Sequence, residues 1–319
     1  MNQINIKNTK SIELDDNCFS EIKNLNKLFI QSYELLIKGH LFNENQFLTS
    51  IFIKTHQNLT ITKEAFDKCN RLNSIIISSD STLTISKNNF LQLAYLETLE
   101  LYGNEIIIED NCFNKCVNIF IENYSKDVFK IFQIKSNSLI EIGKNCFNEL
   151  LYLNSIEITS QKVIIHNSCF NKCISLSHCI FSESSKILIG NLCFNECNNL
   201  STISFSNLDY IEIDSESFID CNALNEFNIK PSNSINPIDY FCNFQNFGGK
   251  TYLVQLEQKS DQFYIDVYLN DSNEFQISFF RRMILLSRLN YLGILPLIGF
   301  GFITVDKKCY PAIMRKNTK

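Results

Sequence analysis

A phenylalanine returns every 23 or 24 residues along the first two-thirds of this chain, at Phe19, Phe42, Phe66, Phe90, Phe113, Phe147, Phe170, Phe194 and Phe218. One spacing departs, the 34 residues between Phe113 and Phe147. Six residues after each phenylalanine stands Leu25, Leu48, Leu72, Leu96, Ile119, Leu153, Leu176, Leu200 or Leu224. Seven and five residues before each stand two apolar side chains, from Ile12 and Leu14 at the first to Ile211 and Ile213 at the last. A period this long and this regular restricts the chain to architectures in which one small unit stacks on the next.

The copy around Asn191–Phe205, NLCFNECNNLSTISF, shows what one unit can do. The pairs Ile187/Ile189 and Ile203/Phe205 alternate with polar residues, so each predicts a short strand with one buried face. Between them Phe194, Cys197 and Leu200 recur every third residue, which predicts a short helical or 3₁₀ turn. Asn17, Asn88, Asn111, Asn145 and Ser168 precede such turns and suit N-caps, where a side-chain oxygen accepts an orphan backbone N–H. A single unit cannot bury its own apolar face, whereas stacked copies share a continuous core and build parallel sheets. The expectation is a solenoid over residues 1–230, with about nine repeats.

The fifth unit is irregular. Its second strand pair would fall on Glu122 and Tyr124, and instead reappears at Phe132 and Ile134. About ten residues around Ile121–Lys130 are therefore inserted, either a neutral surface loop or a local feature of a binding face.

The segments IEIGKNCFNELLYLNSIEI, from Ile140, and ILIGNLCFNECNNLSTISF, from Ile187, resemble the BspA-like class of leucine-rich repeats. The shared pattern, with substitutions, runs from Ile12 to Ile229, and the glycine following its second isoleucine is present only at Gly143 and Gly190. The resemblance implies a curved solenoid used for protein binding or adhesion, with an unidentified protein partner on one solenoid face.

The chain has 319 residues, 45% of them hydrophobic, enough for one long domain or two ordinary ones. Its net charge of -5 and lack of any Lys/Arg run argue against a nucleic-acid partner. The opening MNQINIKNTKSIELDD has no apolar signal core. The apolar run Leu292–Ile303 contains Pro296 and is shorter than the roughly 20 residues a membrane span needs. A cytoplasmic location with reduced cysteines is expected. The abundance of asparagine carries no mechanism if it reflects an AT-rich genome.

There are 13 cysteines, and most sit at two fixed repeat positions. Cys18, Cys112, Cys146, Cys169 and Cys193 come one residue before the phenylalanine, and Cys69, Cys116, Cys173, Cys197 and Cys221 three after. A ladder of metal sites or redox thiols is one reading, yet no unit supplies two further clear ligands, and only His166 and His178 flank a pair. The other reading is packing, since reduced cysteine is a small hydrophobe and Leu93 and Leu150 replace it at equivalent places. No metal or other cofactor is expected.

Composition changes near residue 230. All four prolines follow it, as do Arg281, Arg282, Arg288 and Arg315, leaving Arg71 alone before it. Residues 231–246 read as a linker, and 247–319 as a small α+β domain in the order strand, strand, helix, strand, strand. Phe279, Met283, Leu286 and Leu289 give the helix an apolar face, and Asn273 could cap it.

The helix and following strand, FFRRMILLSRLNYLGILPLIGF, with FGGKTYLV and YIDV before them, resemble the N-terminal lobe of a protein kinase. The resemblance covers roughly 241–315 and implies a catalytically inert lobe. Asp266 stands where the family has its phosphate-binding lysine, and Arg282 where it has the partner glutamate. Of the phosphate-covering glycines only Gly248 or Gly249 remains. The sequence ends at Lys319, about where a hinge to the second lobe would begin, and holds no H-R-D, D-F-G or A-P-E motif. Asp266 and Arg282 are either a charge-reversed ion pair between strand and helix or two independent losses. Three functions follow: a protein-interaction scaffold with an inert lobe, a repeat-fused kinase represented incompletely, or a surface adhesin. Sequons at Asn58 and Asn199 bear on the last.

Overall fold

The structure is a computed structural model. It describes residues 2–42, 45, 47–66, 69–116, 131–208, 210–214, 217–224, 226–231, 251–256, 261–267, 297–305 and 308–316.

Each repeat contributes two short strands. The first units give β1 (Gln3–Lys7), β2 (Ile12–Leu14), β3 (Lys27–Ser32), β4 (Leu35–Ile37), β5 (Ser50–Thr55), β6 (Leu59–Ile61), β7 (Ser74–Ser79) and β8 (Thr82–Ile85). Two long strands follow, β9 (Thr98–Ile108) and β10 (Ile131–Ile142). The short pattern then resumes in β11 (Ser155–Thr159), β12 (Lys162–Ile165), β13 (His178–Ser182), β14 (Lys186–Ile189), β15 (Thr202–Leu208), β16 (Tyr210–Ile213) and β17 (Glu226–Pro231).

Two parallel ladders result. The first sheet runs β1, β3, β5, β7, β9, β10, β11, β13, β15, β17. The second runs β2, β4, β6, β8, β9, β10, β12, β14, β16. β9 and β10 pass through the corner and serve both. After the irregular fifth unit, Phe132 pairs with Leu99 and Ile134 with Leu101, so register resumes where the displaced strand pair was expected. Residues 121–130 lie outside the described residues.

Inside, the repeat phenylalanines form one continuous column. From Phe19 to Phe218 each ring meets the next at centroid separations between 4.9 and 5.9 Å. The apolar pairs of both sheets close around it as one core. A third wall, opposite the corner between the sheets, carries the column.

That wall corrects the expected helical turn. Cys197 N–H donates to Phe194 O and Leu200 N–H to Cys197 O, at 3.2 and 3.0 Å. The same two bonds recur at Phe66, Phe170 and Phe218. The three-residue period is thus two turns joined end to end, and the described residues contain no helix. Left-handed residues interrupt any helical run: two before the phenylalanine at Asn17, Glu64, Asn88, Asn111, Asn145, Ser168 and Leu192, and two after at Gln92, Lys115, Glu149, Lys172, Glu196 and Asp220. The residues read as N-caps therefore have another task. An N-cap needs extended backbone, whereas Asn17, Asn88, Asn111, Asn145 and Ser168 have φ between 55° and 61°. Asparagine is enriched there because its short polar side chain tolerates that region.

The left-handed turns aim backbone donors along the stack. Asn145, Phe147 and Glu149 donate to Asn167, Cys169 and Asn171 in the next unit, at 2.8–3.1 Å. Side chains repeat the device. Asn148 donates to Asn114, Asn171 to Asn148, and Asn195 to Asn171, between 2.8 and 3.2 Å. Asparagine frequency here has a structural cause.

At the corner between the sheets a buried hydroxyl closes most turns, at Thr55, Ser79, Ser136, Ser160 and Ser184. Ser136 Oγ, for example, donates to Asn104 O at 2.6 Å. At the other corner Gly143 and Gly190 press on the preceding unit: a Cβ on Gly143 would lie 2.6 Å from the Asp110 backbone nitrogen.

Beyond the repeats lie β18 (Thr251–Leu256), β19 (Asp261–Val267), β20 (Leu297–Val305) and β21 (Lys308–Lys316). β18 extends the first sheet by pairing in parallel with β17. The others continue antiparallel, β18 to β19, β19 to β21 and β21 to β20. The expected helix lies outside the described residues.

Candidate interaction surface

The cysteines do not assemble a site. All eleven described are free thiols, and ten are buried, Cys18 being the exposed one. Desolvation pushes Cys116 and Cys193 up to about 12, and raises Cys146, Cys169, Cys179 and Cys197 well above the ordinary thiol value. Such thiols are poor nucleophiles and poor metal ligands at neutral pH. No group of three or more His, Cys, Asp or Glu side chains among the described residues could hold a metal. His166 reaches Glu141 at 2.9 Å and His178 reaches Ser177 at 2.7 Å, both away from the buried Cys169 and Cys173.

The cysteines at these positions other than Cys18 are buried in the core with Leu93 and Leu150, as the packing reading expects, and several also donate a hydrogen bond. Three residues after the phenylalanine, Cys116, Cys173, Cys197 and Cys221 donate to the phenylalanine carbonyl of the preceding unit, at 2.9–3.3 Å. One residue before it, Cys112 donates to Ser86 O and Cys146 to Glu109 O, at 3.1 and 3.0 Å. In other units Asn89 donates to Thr62 O and Ser217 to Gly190 O from the same place. Cysteine, asparagine and serine share a small size and a donor to the coil below, while Leu41 and Ala65 fill the same buried place by packing alone.

With the buried cysteines engaged in packing and hydrogen bonds, the candidate surfaces are the outer faces. On the first sheet, alternate residues face outward. Its middle file reads Asn5, Phe29, Phe52, Ile76, Glu100, Gln133, Glu157, Ile180 and Ser204, as the register sets it. Phe29 and Phe52 stack at 4.8 Å with ring planes 3° apart, on the outside of the molecule, and Lys7 Nζ lies 5.5 Å from the Phe29 ring. Lys27 stands on one side of this file and Lys7 and Lys54 on the other. Beyond Ile76 the face turns acidic and self-satisfied: Glu100 accepts from Tyr102, and Glu157 meets Gln133 and Lys135. At the edge of the face, exposed Phe47 lies under Arg71, whose guanidinium carbon is 5.7 Å from the ring.

The second sheet is more mixed. Its outward middle file reads Glu13, Leu36, Thr60, Thr84, Ile107, Glu141, Ile164 and Leu188, with acids interrupting the apolar residues. The third wall carries charge in alternation, with Lys115 near Glu149 and Lys172 near Glu196 at 3.8 and 3.9 Å.

A family model described as a BspA type leucine rich repeat region matches residues 1–120 and 121–247, in six copies. The chain belongs to this BspA-type leucine-rich-repeat family. No curated protein and no solved structure matches the chain. Repeats of the BspA type suggest a protein-interaction scaffold, and no helix among the described residues is long and apolar enough to cross a membrane.

Of the residues singled out beyond the BspA-type repeats, Gly248, Gly249 and Arg282 lie outside the described residues. Asp266 lies in β19, its backbone paired with Thr251 on one side and Ile313 on the other. Reading the repeats for their inward residues left the outward Phe29–Phe52–Ile76 file unseen. Its signal was present, as unbroken apolar runs such as SIFI and SIII where alternation demanded a polar residue.

Proposed function

We propose that this BspA-type protein is a protein-interaction scaffold with a catalytically inert kinase-like lobe at residues 247–319. The observation that carries the scaffold is the outward Phe29–Phe52 stack on the first sheet. Stacked rings at a solvent face contribute nothing to the core, and partly exposed aromatic files with a polar rim mark partner sites. The reading takes an unidentified protein partner on a solenoid face, no cofactor, and a cytoplasmic location. Eleven free thiols, most of them buried donors, support a reducing compartment.

The kinase-like part of the proposal rests on sequence resemblance. Four antiparallel strands at the anticipated places, with β19 between β18 and β21, are compatible with it. Asp266 at the lysine position supports inertness, because a carboxylate repels phosphate. A repeat-fused kinase predicts the opposite behaviour toward nucleotide. An adhesin predicts glycan on Asn58 or Asn199, both exposed.

A photo-reactive phenylalanine analogue placed at position 52, and in a second protein at position 188 of the second sheet, tests the scaffold in native cells. The expected result is a discrete protein adduct from one face only. Adducts from neither face overturn the scaffold. Thermal melting with millimolar MgATP tests the lobe: no shift is expected, and a shift of several degrees abolished by Asp266→Ala overturns inertness.

A further inference from the structure

We propose that the outer face of β1, β3, β5 and β7 is a docking site for an acidic amphipathic helix of a partner protein. The proposal rests on the scaffold reading and names the partner's chemistry.

Charge is the first argument. The outward positions of these four strands are Gln3, Asn5, Lys7, Lys27, Phe29, Gln31, Ser50, Phe52, Lys54, Ser74, Ile76 and Ser78, set by the alternation of buried residues. Three are lysines and none is a carboxylate, in a chain of net charge -5. Arg71 adds a fourth cation at the edge, over Phe47. The carboxylates at the opposite corner are engaged, Asp80 by His56 at 2.8 Å and Glu34 by the Ser11 hydroxyl at 3.2 Å. Such a local reversal of sign selects an acidic partner and repels a basic one.

Spacing is the second argument. Phe29, Phe52 and Ile76 follow one another across neighbouring strands, and the first two rings are 4.8 Å apart. A helix presents apolar residues at i, i+3 or i+4, and i+7, with a pitch of about 5.4 Å. A strand presents same-face side chains about 6.7 Å apart, which slips out of step at once. Lys27 and Gln31 are four residues apart along β3, so the files flanking the apolar one are separated by about 13 Å. A helix with its side chains is about 10–12 Å across, so glutamates on both its flanks reach both flanking files. This is the helix-on-apolar-groove mode of recognition, with charge fixing the orientation.

The probe is a fluorescein-labelled helical peptide with Leu and Phe at i, i+3, i+4 and i+7 and Glu on both flanks, titrated by anisotropy into the full chain. Its counterpart carries Lys in place of Glu. The Glu peptide is expected to bind at least tenfold more tightly than the Lys peptide, with affinity falling as salt rises. Phe52→Glu and Lys54→Glu each reduce binding about tenfold, while Ile180→Glu, on the same sheet outside the patch, leaves it unchanged. Melting temperatures of all three variants control for folding. Equal binding of the two peptides, no binding of the Glu peptide at millimolar concentration, or indifference to Phe52→Glu overturns the proposal. A 15-nucleotide poly-dT that competes with the Glu peptide at equal affinity also overturns it, in favour of single-stranded nucleic acid. If the photo-crosslinker at position 188 captures a partner while these assays fail, the scaffold stands and this patch does not.

Discussion

At the scale of single residues, the repeat is held by side chains whose tasks are easily confused. Asn145 has φ of 55°, donates its amide to Asn111 at 3.3 Å, and sends its backbone N–H to Asn167. A β-branched residue there cannot adopt the left-handed region cheaply, at a cost of about 1–3 kcal/mol. Glycine adopts it freely and loses only a partly exposed amide bond. Asn145→Val is therefore expected to lower the urea midpoint clearly, and Asn145→Gly to leave it nearly unchanged. Equal losses from both would return the residue to a side-chain capping role. The sequence shows asparagine before four of the turns, at Asn17, Asn88, Asn111 and Asn145, and both N-caps and left-handed residues prefer it, so residue type alone could not separate them. Cysteine was ambiguous in the same way. Only the comparison of Cys112, Asn89 and Ser217 in space shows that a small polar side chain at this otherwise packed position donates to the coil below. Cys18 makes the contrast testable. It is the one exposed thiol of the eleven described, with its pKa raised by partial burial and by Asp15. Pulsed alkylation of the native protein at pH 8 is expected to label Cys18 first among them. It should do so more slowly than a free thiol, because less thiolate is present, and labelling of Cys146 or Cys197 at a comparable rate would overturn the buried-ladder account.

At the scale of the element, the phenylalanine column is what the sequence discloses best. Large apolar residues at fixed spacing can only be buried by stacking, so column, flanking strands and parallel register follow from periodicity. The corner hydroxyls were not legible, because Ser79 or Ser160 in isolation looks like loop composition, yet both are buried. Phe147 is fully buried at the middle of the column, between Phe113 at 5.4 Å and Phe170 at 5.2 Å, with Phe132 edge-on at 5.1 Å. Phe19, at the end, meets Phe42 and is only partly buried. Phe147→Ala should cost about 3–5 kcal/mol, and Phe19→Ala distinctly less. Because solenoid stability is a sum of unit and neighbour terms, a weakened middle interface divides the stack. Urea unfolding of Phe147→Ala is expected to show two transitions, or one broadened with a lower slope, whereas Phe19→Ala keeps the parent's shape. A uniform two-state loss in Phe147→Ala would mean that the stack does not behave as coupled units.

At the scale of the whole molecule, sequence composition divided the chain near residue 230, while the backbone continues the first sheet across that point through the pairing of β17 with β18. Periodicity could not foresee this, because Phe227 and its partner Val254 are not one repeat apart. The thiol ladder gives the repeats a collective property that no single unit has. Burial holds the protons of Cys116 and Cys193 to about 12, and those of Cys146, Cys169, Cys179 and Cys197 well above the ordinary 9.0. In the unfolded chain the same thiols ionise near the ordinary value. Between those limits the unfolded state binds fewer protons than the folded one, so stability is full below pH 9 and falls as pH rises. Each thiol loses about 1.4 kcal/mol per pH unit in that window. All six shift in the same direction, so their losses act together as pH rises through the alkaline range. Under reducing conditions the urea midpoint is therefore expected to drop steeply from pH 8 to pH 10. Replacing Cys169 and Cys193 together by alanine should lower stability at pH 7 and also flatten the alkaline slope by about two protons. A midpoint that stays level to pH 10, or a slope unmoved by the double replacement, would mean that the buried ladder opens to solvent before the solenoid unfolds.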